Sequence, residues 1–251
     1  MKYQPVSRRL IHLIYPLVIY MAIGMAVLGV YPSGGLFANL IEKVFCIIIM
    51  GILFYQDSKQ IRWEGAILSP VSALLLILIG ASACIGGNLL LDLTDLKALR
   101  AEETEMVAQA LYSDSLWLQI LVVGIAAPIA EELLFRGILY RRMRTWLGAG
   151  ASASAALVIF AAVHGNLLQA LYAFVLGAIL IWAYEHFAKL IAPILVHIAA
   201  NLISICAQQS IWLGTLLQKY EVILCILGFV ITVAGIVYLS KRTCSCPQNC
   251  I

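Results

Sequence analysis

Leu116–Arg144 reads LWLQILVVGIAAPIAEELLFRGILYRRMR. An apolar run of this length, about 20 residues or more, is what an α-helix needs to cross a bilayer. Glu131, Glu132 and Arg136 lie inside the run, and Arg141, Arg142 and Arg144 follow at its end. A charged side chain at bilayer depth costs about 2.5–3.5 kcal/mol on insertion scales, so three within six positions need a reason. Arg136 follows Glu132 by four residues, one helical turn, and the two are placed to form an ion pair. Glu131 is turned about 100° away from Glu132. Two readings stand here. In one, the pair ties the helix to its neighbours and Glu131 sits at a wet rim. In the other, Glu131 is a free carboxylate aimed into a cavity, the default for an intramembrane ionisable group.

The rest of the 251-residue chain is of the same kind: 63% hydrophobic, 12% charged, mean hydropathy +0.98. Soluble domains are about 45–50% apolar and about 25% charged. The chain is therefore expected to be an all-α polytopic membrane protein, a single integral membrane domain over 1–251. The net charge of +3 comes with no basic patch interleaved with aromatics, so nucleic acid is not an expected partner. Arg8 and Arg9 precede an apolar run without a small-residue cleavage site, which reads as a retained first helix. Of seven cysteines, Cys46, Cys84, Cys206 and Cys225 lie in apolar runs, and Cys244, Cys246 and Cys250 form a C-terminal tail. Their odd number and irregular spacing give no disulfide framework; an unstructured reduced tail is expected.

Hydrophobic runs place about eight transmembrane helices: 10–30, 37–55, 66–86 (stopped by Gly86-Gly87-Asn88), 116–139, 151–167, 168–185, 190–208 and 221–240. Residues 92–112 differ, since seven charged residues interrupt the leucines. They read as an acidic amphipathic segment before the fourth span, lying at the membrane surface. Alternation from a cytoplasmic N-terminus puts twelve of the sixteen Lys and Arg residues at one end and Lys43, Lys97, Arg100 and Lys219 at the other. By the positive-inside rule, both termini are then cytoplasmic in a multi-pass protein of the cell membrane.

Two further polar insertions accompany Glu131. The fifth helix holds Phe160 and His164, and the seventh holds His197 and Asn201 on one face. At 1.5 Å per residue, Glu131 lies roughly 14 Å from the helix end near Tyr140, and His197 lies roughly 10–12 Å from Lys189. Groups at similar depth that lipid cannot satisfy should converge on one wet cavity, expected to be reached from the cytoplasmic half. A carboxylate, two histidines and an asparagine suit hydrolysis: the carboxylate as general base for water, the N–H donors for an oxyanion. Glu131, His164 and His197 would also make a zinc set. No firm cofactor follows, and no covalent nucleophile is placed in these motifs.

Together, E-E-x-x-x-R (Glu131, Glu132, Arg136), F-x-x-x-H (Phe160, His164) and H-x-x-x-N (His197, Asn201) resemble the CAAX protease and bacteriocin-processing family, also known as CPBP or Abi proteins and including type II CAAX prenyl endopeptidases. The resemblance covers 116–208, the expected catalytic core helices. It implies intramembrane hydrolysis of a peptide bond in a peptide or lipid-modified protein, with Glu131 and His164 activating water, His197 and Asn201 forming the oxyanion hole, and Glu132, Arg136 and Phe160 supporting them. The family is often described as a metalloprotease, so zinc is a possible cofactor, and glutamate-activated water is the preferred expectation. Two other classes compete: a non-enzymatic immunity or scaffold protein, and a small proton-coupled transporter. A transporter would favour paired broken helices in two corresponding halves, and only Pro128 breaks the pattern near Glu131.

Overall fold

A computed structural model describes residues 5–61, 63–94 and 96–244. Lys2, Arg62, Asp95 and the cysteines beyond Cys244 lie outside them. Every regular element among the described residues is helical. The chain runs through α1 (Val6–Val30), α2 (Leu36–Gln60) and α3 (Pro70–Leu93). A single turn at Leu96–Leu99 leads into α4 (Ala101–Tyr112). Then come α5 (Leu116–Arg144), α6 (Ala149–Ala162), α7 (Leu167–Phe187) and α8 (Ile191–Gln209). The short α9 (Ile211–Lys219) precedes α10 (Glu221–Cys244).

Seven of these, α1, α2, α3, α5, α7, α8 and α10, are long and apolar enough to cross a membrane. The chain is a multi-pass membrane protein. The eighth expected span, α6, has 14 residues, about 21 Å of helix against a hydrocarbon core of about 30 Å. It stops at Ala162 because the chain turns there: Gly165 has φ +75°, a left-handed conformation that side-chain-bearing residues rarely adopt. Asn166 then caps α7 by accepting from the Gln169 N–H. His164 therefore sits in the turn between α6 and α7, not within a helix as the run 151–167 implied.

Gly86-Gly87-Asn88 does not stop α3 either. Without water to compete for the backbone, glycine is tolerated in such a helix and serves close packing instead. A Cβ on Gly80 would lie 2.1 Å from the Val196 carbonyl oxygen of α8. One on Gly228 of α10 would lie 2.8 Å from the Ser82 carbonyl and 2.9 Å from the Gly86 nitrogen. Small residues thus sandwich α3 between α8 and α10, where Ser82 Oγ and Thr232 Oγ1 also share a hydrogen bond of 2.9 Å.

α5 is the most enclosed span, with 61% of its apolar window buried, against 11% for α1. Its Phe135, Ile138 and Tyr140 share one core with Phe160, Leu180 and Val196 of other helices. The end of the bundle that carries the N-terminus is closed by charge pairs, one buried and one half-buried. Arg142 Nε donates to Asp57 Oδ2 at 2.7 Å, Nη2 to Tyr15 Oη at 2.8 Å, and Nη1 to the His12 carbonyl. Arg144 Nε and the Tyr140 hydroxyl both donate to Glu185 Oε1, at 2.7 and 2.6 Å. At the opposite end Asp114 Oδ2 accepts from the Leu36 N–H, and Gln119 Nε2 donates to the Tyr112 and Asp114 carbonyls.

α4 takes up twelve residues of the charged stretch 92–112, with Arg100 and Glu103 paired at 2.5 Å at its start. None of its residues is fully buried. Glu103, Thr104, Val107, Ala108 and Leu111 form one of its faces and look into the cavity described next.

Candidate active site

α5 is not a uniform α-helix. Ile120–Ala126 and Leu133–Tyr140 are π-helical, and the α-helical Ala127–Glu132 between them carries both glutamates. π-Segments are rare and gather at functional sites, where the extra residue per turn re-aims side chains. The first has a local cause and a local consequence. In a π-turn the N–H of residue i bonds the carbonyl of i−5, as Ala127 does to Val122. The next donor would be Pro128, which has no N–H, so the Val123 carbonyl is orphaned. Asn201 Nδ2 from α8 donates to it at 2.8 Å.

Five residues downstream the pair expected from spacing is present. Arg136 Nη1 lies 2.8 Å from Glu132 Oε1, with side chains 1% and 0% exposed. The Arg136 guanidinium also stands 4.2 Å from the centroid of the Phe160 ring, a cation–π contact that gains strength when desolvated. Gly177 of α7 makes room for this stack: a Cβ there would meet Phe160 Cδ1 at 3.2 Å and Arg136 Nη2 at 3.3 Å.

Glu132 has a second partner that sequence did not reveal. Its Oε1 accepts from His197 Nδ1 at 2.9 Å, since a carboxylate oxygen accepts and the ring N–H donates. Glu132 thereby joins α5 to α8 and fixes the tautomer of His197, leaving Nε2 toward the cavity. Glu131 Oε2 lies 3.9 Å from that Nε2, and the Glu131 side chain keeps 22% of its surface exposed. Next to them His164 Nδ1 is 2.7 Å from the Phe160 carbonyl oxygen. A carbonyl cannot donate, so Nδ1 carries the proton and, in the neutral ring, Nε2 keeps its lone pair. Phe160 lies edge-on to both histidines, 4.9 Å from the ring of His164 and 6.2 Å from that of His197.

Glu131, His164, His197, Asn201 and Phe160 all line one cavity of about 470 Å³. Glu132 and Arg136 sit behind its wall. The cavity does not run toward the end that carries the N-terminus. Its other walls come from the start of α2 (Leu36, Asn39), the end of α3 (Asn88, Leu91), α4, the start of α7 and the end of α8 (Ser204, Gln208). All of these lie toward the opposite end, which corrects the expected direction of access. Depth alone could not decide it, because the groups sit near mid-bundle; the charge pairs of Arg142 and Arg144 close one side.

Lys43 also lines the cavity, and the motifs gave no hint of it. Its ammonium is 2.8 Å from Glu42 Oε1 and donates to Tyr20 Oη at 3.0 Å. The available signal was a pair of opposite charges inside the apolar run of α2. At the cavity's far rim Tyr112 Oη and Ser204 Oγ are 2.9 Å apart. Burial pushes the Tyr112 phenol above its ordinary pKa, and the bond to Ser204 opposes that. The zinc alternative fits poorly. Among the described residues no three His, Cys, Asp or Glu side chains converge as a metal set requires, so no step is derived through a metal.

Fold and site together define a class: a multi-pass helical membrane protein whose carboxylates, histidines and asparagine meet in one cavity at mid-depth. Residues 113–203, a little over a third of the chain, match the family model described as "Rce1-like: Type II CAAX prenyl endopeptidase Rce1-like". That stretch is similar to this family model, and the family is one of proteases. All three motifs lie within the matched residues. No curated protein and no solved structure matches the chain.

Proposed function

We infer that this protein is an intramembrane endopeptidase that cleaves a peptide bond in a membrane-associated peptide or lipid-modified protein. The observation that carries this reading is the shared cavity: a partly exposed carboxylate, Glu131, faces the same space as two tautomer-fixed histidines and an asparagine. In this reading 1–251 is a single membrane domain with 116–208 as its catalytic core, and both termini are cytoplasmic.

Glu131 takes a proton from a water held between its carboxylate and His164 Nε2, and the hydroxide attacks the scissile carbonyl carbon. His197, its Nδ1–H held by Glu132, turns Nε2 toward the oxyanion and donates to it in the imidazolium form. The second N–H of Asn201 donates beside it, the first being held by Val123. The protonated Glu131 then passes its proton to the amide nitrogen, the C–N bond breaks, and a carboxylate and an amine leave. Glu132 positions His197, and Arg136 and Phe160 hold Glu132.

Purified protein reconstituted in liposomes, with a peptide library and mass-spectrometric readout, tests this. New peptide termini are expected with the wild type and not with Glu131→Gln. Identical peptide profiles for the two would overturn the assignment.

A further inference from the structure

Three observations on different parts of the molecule bear on where the substrate comes from. The cavity holding Glu131, His164 and His197 is walled from mid-bundle toward one end, by Leu36, Asn39, Asn88, Leu91, Ser204 and Gln208. The other end is sealed beneath the site. Arg136 and Glu132 form its floor, and below them Arg142 binds Asp57 and Tyr15 while Arg144 and Tyr140 bind Glu185. Side chains such as Tyr140, Arg142, Tyr184 and Phe187 fill the space between these pairs, each no more than 2% exposed. Finally, the sealed end is the basic one. Arg8, Arg9, Lys59, Arg141, Arg142, Arg144, Lys189, Lys241 and Arg242 belong to it by helix alternation, while Lys43, Lys97, Arg100 and Lys219 belong to the open half. Cytoplasmic ends of spans carry the excess of Lys and Arg.

We propose that the catalytic cavity opens on the non-cytoplasmic face of the membrane, so that the substrate is a polypeptide segment already translocated to, or displayed on, that face. The inference rests on the peptidase reading above for the word substrate, and on charge and geometry for the side. It separates two substrate classes that the peptidase reading leaves together. A lipid-modified C-terminus that stays in the cytoplasm would meet the packed end of the bundle and has no route to Glu131. An exported peptide or the outer segment of a membrane protein meets the mouth directly. There, Leu36, Leu91, Val107 and Leu111 offer apolar contacts, and Asn39, Asn88 and Gln208 offer amide partners to an extended backbone. The class of reaction that must supply such a substrate is transport across the membrane.

Single cysteines at the mouth and at the sealed end test the side without reference to activity. Val107→Cys on α4 and Gln208→Cys on α8 provide two independent mouth positions. Gln60→Cys at the end of α2 reports the other end. Each is compared with the wild-type chain to subtract its native thiols. With a membrane-impermeant maleimide, both mouth variants should label in intact cells as fully as after permeabilisation, and Gln60→Cys only after permeabilisation. The reverse pattern overturns the proposal. In parallel, an impermeant peptide substrate is offered to right-side-out and inside-out vesicles. Cleavage in right-side-out vesicles alone supports the proposal, and cleavage in inside-out vesicles alone overturns it. No cleavage from either side, with the labelling as expected, counts against the peptidase reading and leaves the side of the opening standing.

Discussion

Glu131 and Glu132 are neighbours in sequence and opposites in environment, so the same conservative change at each should have different costs. Glu132 Oε1 takes both Arg136 Nη1 at 2.8 Å and His197 Nδ1 at 2.9 Å, with the two charged side chains 0% and 1% exposed. Glu132→Gln keeps the shape and one acceptor but leaves the Arg136 charge uncompensated in the interior. Breaking one partner of a buried pair typically costs about 3–5 kcal/mol. For a chain of this size about 1 kcal/mol corresponds to roughly 2–4 °C in midpoint, so a loss on the order of 10 °C is expected in detergent melts, with lower purified yield. Glu131 is partly exposed and its contact with His197 is long, 3.9 Å. Glu131→Gln should move the melt by under about 1 kcal/mol, the range of partly exposed ion pairs. It should lower turnover by about 10²–10⁴, the usual worth of a general base. Parallel melts and peptide-cleavage rates read both. Equal melts with equal residual activity, or a larger melt shift for Glu131→Gln, would refute the division of labour.

Asn201→Ala should cost twice, losing about 10²–10³ in rate as one oxyanion donor and about 1–3 kcal/mol for the orphaned Val123 carbonyl; a rate loss with an unchanged melt would contradict the structural half. His164→Ala should abolish cleavage while leaving the melt near wild type, because its side chain bonds locally, to the Phe160 carbonyl four residues before it; comparable activity in the variant would remove it from the mechanism. Gly80→Ala should prevent assembly, since the new Cβ would lie 2.1 Å from the Val196 carbonyl oxygen and only a shift of α3 from α8 relieves it; a monodisperse, folded variant on size exclusion would show the contact to be soft. Epitope tags at either terminus should be accessible to antibody only after permeabilisation; surface staining of intact cells would reverse the topology.

The number of spans was legible to within one because lipid makes hydrophobic length nearly sufficient evidence. The Glu132–Arg136 pair and the shared face of His197 and Asn201 were legible for a similar reason: both are four-residue spacings within one helix. What joins different helices was not. The bond from His197 to Glu132 spans 65 residues, and no local pattern announces it. Asn201 read as an oxyanion donor, yet one of its N–H groups is committed to Val123, for a reason that lies in Pro128 and in a π-turn that sequence does not display. Gly86 and Gly87 read as a stop by the habits of soluble helices, where glycine exposes backbone to water. Inside a bilayer Gly86 lets α10 approach, and Gly87 faces Tyr172 of α7. The direction of the cavity followed from where the arginine side chains of α5 found partners, which is a tertiary fact.

The π-helical stretch Leu133–Tyr140 has a consequence for how this chain tolerates change. A π-turn holds more residues than an α-turn, so the segment works as a phase adjuster between the glutamates and the basic end of α5. Deleting one residue there would let the helix relax to the α form with its register largely kept, whereas inserting one would swing Arg142 about 100° out of register with Glu131 and Glu132. Asp57 and Glu185 would then lose their arginines even though every original residue was unaltered. Substitutions along this face are therefore graded in their effect, whereas a single-codon insertion is all or nothing and a deletion is absorbed by the return to α geometry. The spacing between the glutamates and the basic cluster is a counted length.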